Sequence, residues 1–147
     1  MDWIDRQLVT LLQGDARLSL AELARRLKMA GPSVSERLKR LEESGAITGY
    51  VPQLDLARWG YTLTAIVRLR PLPGQLKALE RQLVATPQIT ECDKVTGEDC
   101  YIARLVLKHI GQLDEILDGF AELASTSTAI VKASPVVRRL PPLDPQD

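Results

Sequence analysis

The sequence predicts an α+β protein in two parts: a small helical head, then an antiparallel sheet with helices on one face. Three observations lead there. Apolar residues between 3 and 44 recur at the helical period in three short runs, whereas from residue 62 the pattern alternates between period-two runs and helical ones. Pro52 and Gly60 mark a weakly structured joint between the two regimes. Finally, Arg25, Arg26, Lys28, Arg37, Lys39 and Arg40 gather between residues 25 and 40 against Glu36 alone, a local excess of five positive charges in a chain whose formal net charge is zero.

The first helix is expected over 3–13, with Ile4, Leu8, Leu11 and Leu12 on one face and Gly14-Asp15 ending it. Ser19 with Glu22 three residues on has the form of a capping box. It opens a second helix with Leu20, Leu23, Ala24 and Leu27 on one side. Ala30-Gly31-Pro32 is a tight break, and proline suits the first turn of a third helix, where its missing N–H costs nothing. That helix runs to about Ser44, with Gly45 as its stop. Val34, Leu38 and Leu41 are expected to face inward, and Ser33, Glu36, Arg37 and Arg40 outward. Residues 47–51 have strand character. The set describes a winged helix-turn-helix, whose third helix would fit a DNA major groove about 12 Å wide.

The second part begins with a half-buried strand over 62–70, Leu63, Ala65, Val67 and Leu69 on one face. A helix carrying Leu76, Leu79 and Leu83 follows, then strands over 89–96 and 101–108 around the turn Gly97-Glu98-Asp99. A second helix carries Leu113, Ile116, Leu117, Phe120 and Leu123, and a last strand is expected over 128–137. The order βαββαβ is the ferredoxin-like split motif. Helices cover one face of such a sheet, so the other needs a partner, most simply a second copy. The expected division is 1–50 winged head, 51–61 hinge, 62–140 oligomerising sheet domain and 141–147 Pro-rich tail.

Composition narrows the function classes. No apolar run approaches the roughly 20 residues that span a bilayer. Acids at Asp2 and Asp5 stand where a secretory leader would be basic, so a cytoplasmic location without a membrane partner is expected. Cys92 and Cys100 have no companion His or Cys pair nearby, which argues against zinc, and the compartment argues against a disulfide. No metal and no cofactor are expected. Phosphate loops and nucleophile elbows are absent, and His109, the one histidine, has no orienting partner visible in the sequence.

Three stretches resemble the Lrp/AsnC family of transcriptional regulators, the feast/famine regulatory proteins. Asp2-x-x-Asp5-x-x-Leu8 with Leu12-Gln13-x-Asp15-Ala16-Arg17 and Leu23-Ala24 is similar to the family's first two helices. Ser33-Val34-x-x-Arg37-x-x-x-Leu41-Glu42-x-x-Gly45-x-Ile47-x-Gly49-Tyr50 is similar to its recognition helix and wing. Glu91-Cys92-x-x-Val95-Thr96-Gly97-x-x-x-Tyr101 resembles its sensor loop. The resemblance implies a sequence-specific regulator of double-stranded DNA with a RAM-type second domain, no enzymatic activity, assembly into homodimers and further into octamers, and amino acids as effectors. Gly31 stands where the family has a serine cap, Cys100 where it has an acid, and the stretch 124–128 lacks the family's Leu-Pro-Gly turn.

On this reading Ser33, Ser35, Arg37 and Arg40 lie near base edges or phosphates, with Lys39 and Arg26 on the backbone. Arg37 is the leading base contact, since arginine can bind guanine O6 and N7 together. An effector pocket beside a subunit interface is expected from Thr96, Gly97, Glu98, Asp99, Cys100, Tyr101, Thr126 and Thr128. There Glu98 and Asp99 would hold an ammonium group and Tyr101 would donate to a carboxylate. Two alternatives share the pattern: a decarboxylase of siroheme-type tetrapyrroles on the same fold, and a nucleoid-style DNA packager.

Overall fold

The computed structural model describes residues 1–143. Its backbone falls into two compact units: Met1–Gln53 with the described tail from Arg138 on, and Leu54–Val137. These boundaries differ from those expected. Residues 54–61 of the expected hinge belong to the second unit, with Leu56–Trp59 forming a 3-10 turn. Residues 138–140, expected in the sheet domain, group with the head, and further along the tail the Arg6 guanidinium donates to the Leu143 carbonyl at 3.1 Å. The remainder of the expected tail, residues 144–147, lies outside the described residues. No described helix is long and apolar enough to cross a membrane.

The first unit is built on α1 (Trp3–Gly14), α2 (Leu20–Leu27) and α3 (Gly31–Glu43). Asp2 caps α1, accepting from the Asp5 N–H at 2.9 Å while Asp5 accepts from the Asp2 N–H at 3.1 Å, a reciprocal capping box. At α2 only half the expected box forms. Ser19 accepts from the Glu22 N–H, but the Glu22 side chain turns to arginines instead. The α2–α3 turn is closed by Lys28 in the left-handed region (φ 54°), with Met29 N–H on Ala24 O at 3.0 Å and Lys28 N–H on Arg25 O at 3.3 Å. Ala30, not Gly31, is the N-cap of α3, and it contributes no side-chain cap. Leu8, Leu12, Leu23, Ala24, Val34 and Leu41 form the core, with Leu38 and Ile47 packed against it.

The wing does not form as strands: no described residue from 47 to 51 is in a sheet. The segment is instead fastened to α3. Ile47 N–H bonds the Leu41 carbonyl at 3.0 Å, and the Tyr50 hydroxyl donates to Glu42 at 2.8 Å. A β-forming sequence without a partner strand has nowhere to spend its backbone groups.

In the second unit, β1 (Leu63–Pro71), β2 (Ile89–Lys94), β3 (Tyr101–Leu107) and β4 (Ala124–Ile130) form one antiparallel sheet of order β2-β3-β1-β4. Helices α4 (Leu76–Val84) and α5 (Ile110–Asp118) complete the βαββαβ order. Ala65, Val67, Leu69, Leu105, Leu107, Leu79 and Phe120 make a fully buried core between sheet and helices. The last strand lies at Ala124–Ile130, not at 128–137. Its Ser-Thr-Ser-Thr run reads as loop by composition, and pairing with β1 overrides that propensity. The helix before it ends at Asp118, so Phe120 and Leu123 are supplied by the following turn.

A lysine in left-handed backbone carries about 1–2 kcal/mol of strain that glycine avoids. Lys28→Gly should therefore raise the stability of the head by about 1 kcal/mol in denaturant titration. An unchanged or lowered stability would contradict the turn geometry.

Candidate nucleic-acid interface and effector turn

Helix α3 presents Ser33, Ser35, Glu36, Lys39 and Arg40 to solvent opposite Val34 and Leu41. Arg37 departs from expectation. Its side chain is only 21% exposed and leans onto α1, where Nη1 meets Asp2 at 2.6 Å and Asp5 at 2.8 Å. Arg40 also approaches Asp5 at 3.4 Å, but remains 60% exposed. The outward orientation expected of Arg37 is thus corrected: a buried carboxylate at the start of α1 draws its guanidinium inward. Asp5 is 4% exposed, and a buried carboxylate is stable only when paired.

These contacts tune the acids. The Asp5 N–H, and then the Arg37 hydrogen bond, hold the Asp2 carboxyl below its ordinary value. Burial alone pushes Asp5 up, but the Arg37 hydrogen bond, the Asp2 N–H and the Arg37 charge outweigh it and leave Asp5 lowered as well. On α2, Arg25 and Arg26 both close on Glu22 at 2.7 Å, and their hydrogen bonds lower its carboxyl to about 2. Arg26 is accordingly tied within its own helix, and Lys39 sits loosely near Glu43 at 3.7 Å.

At the turn expected to meet an effector, the structure brings together one end of the sheet. Tyr101, Leu69 and Thr126 lie in one row across β3, β1 and β4, with Thr128 opposite Val67 one step further in. Gly97 has φ 103°, a conformation that favours glycine, and space beside it is open. The acids of the turn are already engaged. Arg70 donates to the Glu98 carboxylate at 2.8 Å and to its carbonyl at 3.2 Å, and approaches Asp99 at 3.8 Å. Tyr101 is buried, and its hydroxyl donates to Glu80 on α4, so the carboxylate donor expected of it points away from the turn. Burial and that bond push the phenol up to about 12. Lys94 joins the pair, 3.5 Å from Glu80 and over the Tyr101 ring. Cys100 is half-buried and packs against the core. Thr96, Thr126 and Thr128 remain exposed. Among the described residues no His, Cys, Asp and Glu cluster could hold a metal.

Sequence reasoning missed the roles of Asp2, Asp5, Glu22, Arg70 and Glu80. The acid pair three residues apart at the start of α1 was a signal for the capping box. The Arg70–Glu98 and Tyr101–Glu80 pairs join residues 28 and 21 apart, which no local pattern reveals.

Two family descriptions match the chain: an AsnC-type helix-turn-helix domain over residues 1–42 and an Lrp/AsnC ligand binding domain over residues 64–141. The HTH-type transcriptional regulator LrpA of Mycobacterium tuberculosis is 31% identical, the match covering 87% of this chain and 86% of that protein. The solved structure of Bacillus subtilis LrpC superposes with a TM-score of 0.88 at 25% identity, covering 94% of this chain and 99% of that one. A Neisseria meningitidis transcriptional regulator solved as its complex with L-Met shares the fold, with a TM-score of 0.90 at 21% identity and 96% of each chain covered.

The lowered carboxyls set an acid limit on the head. Folding is stabilised by them above their unfolded values, and this stabilisation is lost as pH falls through the folded values, which for Glu22 lies at about 2. The thermal midpoint of the head should drop steadily from pH 4.5 to pH 2, and Glu22→Gln should flatten part of that drop. A midpoint constant over this range would contradict the pairing.

Proposed function

The chain belongs to the Lrp/AsnC family of transcriptional regulators, and on that premise we propose how its residues serve the regulation. It binds DNA through the helix-turn-helix and carries a ligand-binding domain. The observation that carries the assignment of residues is the outward stripe of α3. It is hydroxylic at Ser33 and Ser35, cationic at Lys39 and Arg40, and opposite the buried Val34 and Leu41.

In this reading α3 enters the major groove. Ser33 and Ser35 contact base edges, Lys39 and Arg40 contact phosphates, and Lys28 and Arg26 approach the backbone from the turn and from α2. Arg37 acts through its grip on α1, setting the angle at which the helix is presented. The unit of function is a homodimer, itself able to assemble further, up to octamers. One small head buries too little surface for tight specific binding, and a two-fold pair reads two half-sites. The exposed, helix-free face of the sheet, with Ile66, Ile102 and Val106 half-buried at its centre, supports a second copy as its cover.

The effector is an amino acid bound at the sheet end beside Thr96, Gly97, Thr126 and Thr128. Glu98 and Asp99 divide their carboxylates between its ammonium and Arg70, which makes that arginine the natural competitor of a cationic group and the natural partner of a carboxylate.

Two outcomes test the proposal. On a duplex selected from random sequence, Ser35→Ala should lose about 1 kcal/mol of discrimination against a mismatched site. Lys39→Ala should weaken every sequence alike and reduce the salt slope by about one charge. Equal affinity of both variants and the parent for all duplexes would reject the α3 assignment. Calorimetry with L-Met, then with the other amino acids, should give binding that Arg70→Ala alters at least about threefold through its charge-assisted contacts. Identical binding in Arg70→Ala would move the effector site elsewhere.

A further inference from the structure

Helix α3 ends at Glu43, and the chain then turns back onto its last turn. Gly45, in the left-handed region at φ 74°, makes the reversal, and its N–H bonds the Glu42 carbonyl at 3.0 Å. Ile47 returns beside Leu41, its N–H on that carbonyl at 3.0 Å, and packs against the core of the head. Tyr50 makes the last fastening: its hydroxyl donates to Oε1 of Glu42 at 2.8 Å. Burial and then that bond push the phenol up to about 12, so the hydroxyl stays a donor. Among the described residues, 48–49 and 51–54 make no hydrogen bond or ion pair. The chain is next held at Asp55, which caps the 3-10 turn of the second unit by accepting from the Ala57 N–H at 3.2 Å.

The Tyr50–Glu42 bond sets the length of the tether between the units. With Tyr50 fastened, five residue steps separate the last fixed point of the head from Asp55, a reach of at most about 18 Å. With Tyr50 released, the last fixed point is Ile47, and eight steps reach at most about 28 Å. The difference, about 10 Å, is close to three base pairs at about 3.4 Å each. Pro52 has a fixed φ and holds Val51 extended, so the short tether is also stiff. A hydrogen bond to a charged acceptor favours the fastened form by about tenfold.

We propose that Tyr50 and Glu42 are positioning residues that set which separation of half-sites the paired heads accept, by fastening the exit of the chain to the recognition helix. The inference rests on the two-headed homodimer reading above and adds what restricts its choice of DNA. Neither residue acts by touching a base. A head on a short tether has a high effective concentration at the half-site its tether reaches and almost none beyond. A longer tether spreads the head over more positions and dilutes it at each, roughly as the −3/2 power of length. Going from five free steps to eight lowers that concentration about twofold for each head.

The test uses the full chain and duplexes carrying the half-site selected from random sequence. One duplex holds a single copy, and the others hold two copies whose separation grows by single base pairs through one helical turn. The parent should bind one separation best. Tyr50→Phe keeps the ring and removes the donor. It should bind the single half-site within about twofold of the parent, lose about twofold to fourfold at the preferred separation, and gain at separations up to about three base pairs away. The ratio of best to flanking affinity should fall at least about threefold. Glu42→Ala should broaden the profile equally, and Tyr50→Phe with Glu42→Ala should broaden it no further. Glu42→Gln, whose amide oxygen still accepts from the hydroxyl, should stay close to the parent profile. A Tyr50→Phe profile as narrow as the parent's overturns the proposal. So does an equal loss on every duplex, the single half-site included, which would make Tyr50 a support of α3 alone. A parent with no preferred separation overturns the two-headed reading and the proposal with it.

Discussion

One buried carboxylate organises the head of this protein. Asp5 lies 4% exposed at the first turn of α1, and nearly everything near it serves to keep it charged there. The Asp2 N–H donates to it, Arg37 reaches it from α3 at 2.8 Å, and Arg40 approaches at 3.4 Å. An unpaired carboxylate in that position would be costly, so the position of α3 relative to α1 is tied to the reach of the Arg37 guanidinium. Apolar packing of Leu8, Val34 and Leu41 supplies attraction between these helices but tolerates sliding. A single Arg37 Nη1 bridging two carboxylates tolerates less. The helix that presents Ser33, Ser35 and Lys39 is thereby held by a polar clamp at Arg37 and by a strained Lys28 at the α2–α3 turn.

The same division of labour appears at the β3 start of the sheet domain. Tyr101 and Glu80 fasten the start of β3 to α4, and Arg70 fastens the turn before it to β1. Three residues expected to meet a ligand, Glu98, Asp99 and Tyr101, are thus engaged by Arg70 and Glu80.

How much of this could be read from the sequence depended on the range of the interaction that fixed each element. Helix α1, the α2–α3 pair and the strands β1 and β3 followed from local periodicity, because one buried face writes its period into the chain. The wing and β4 failed for opposite reasons. Residues 47–51 have strand propensity but no partner, whereas Ser125-Thr126-Ser127-Thr128 has loop-like composition and a full partner in β1. The candidate site divided in the same way. Ser33, Ser35 and Lys39 are exposed because the helical period alone puts them there. Arg37, three residues after Val34 and four before Leu41, lies beside the inward stripe by the same period, and Asp2 and Asp5, more than thirty residues away, supply the partners that hold it there. Tyr101 and Glu98 were likewise claimed by partners that sequence distance conceals.

The account turns on Arg37 acting through Asp5 rather than through DNA, and a double-mutant cycle with Arg37→Gln and Asp5→Asn addresses it directly. Denaturant stability of the head and affinity for a selected duplex are measured for the parent, both single variants and the double. The account predicts that each single variant loses stability, that the double loses little more than Arg37→Gln alone, and that discrimination between duplexes survives in all of them. Additive stability losses, or a full-stability Arg37→Gln that has lost discrimination at one base position, would contradict it.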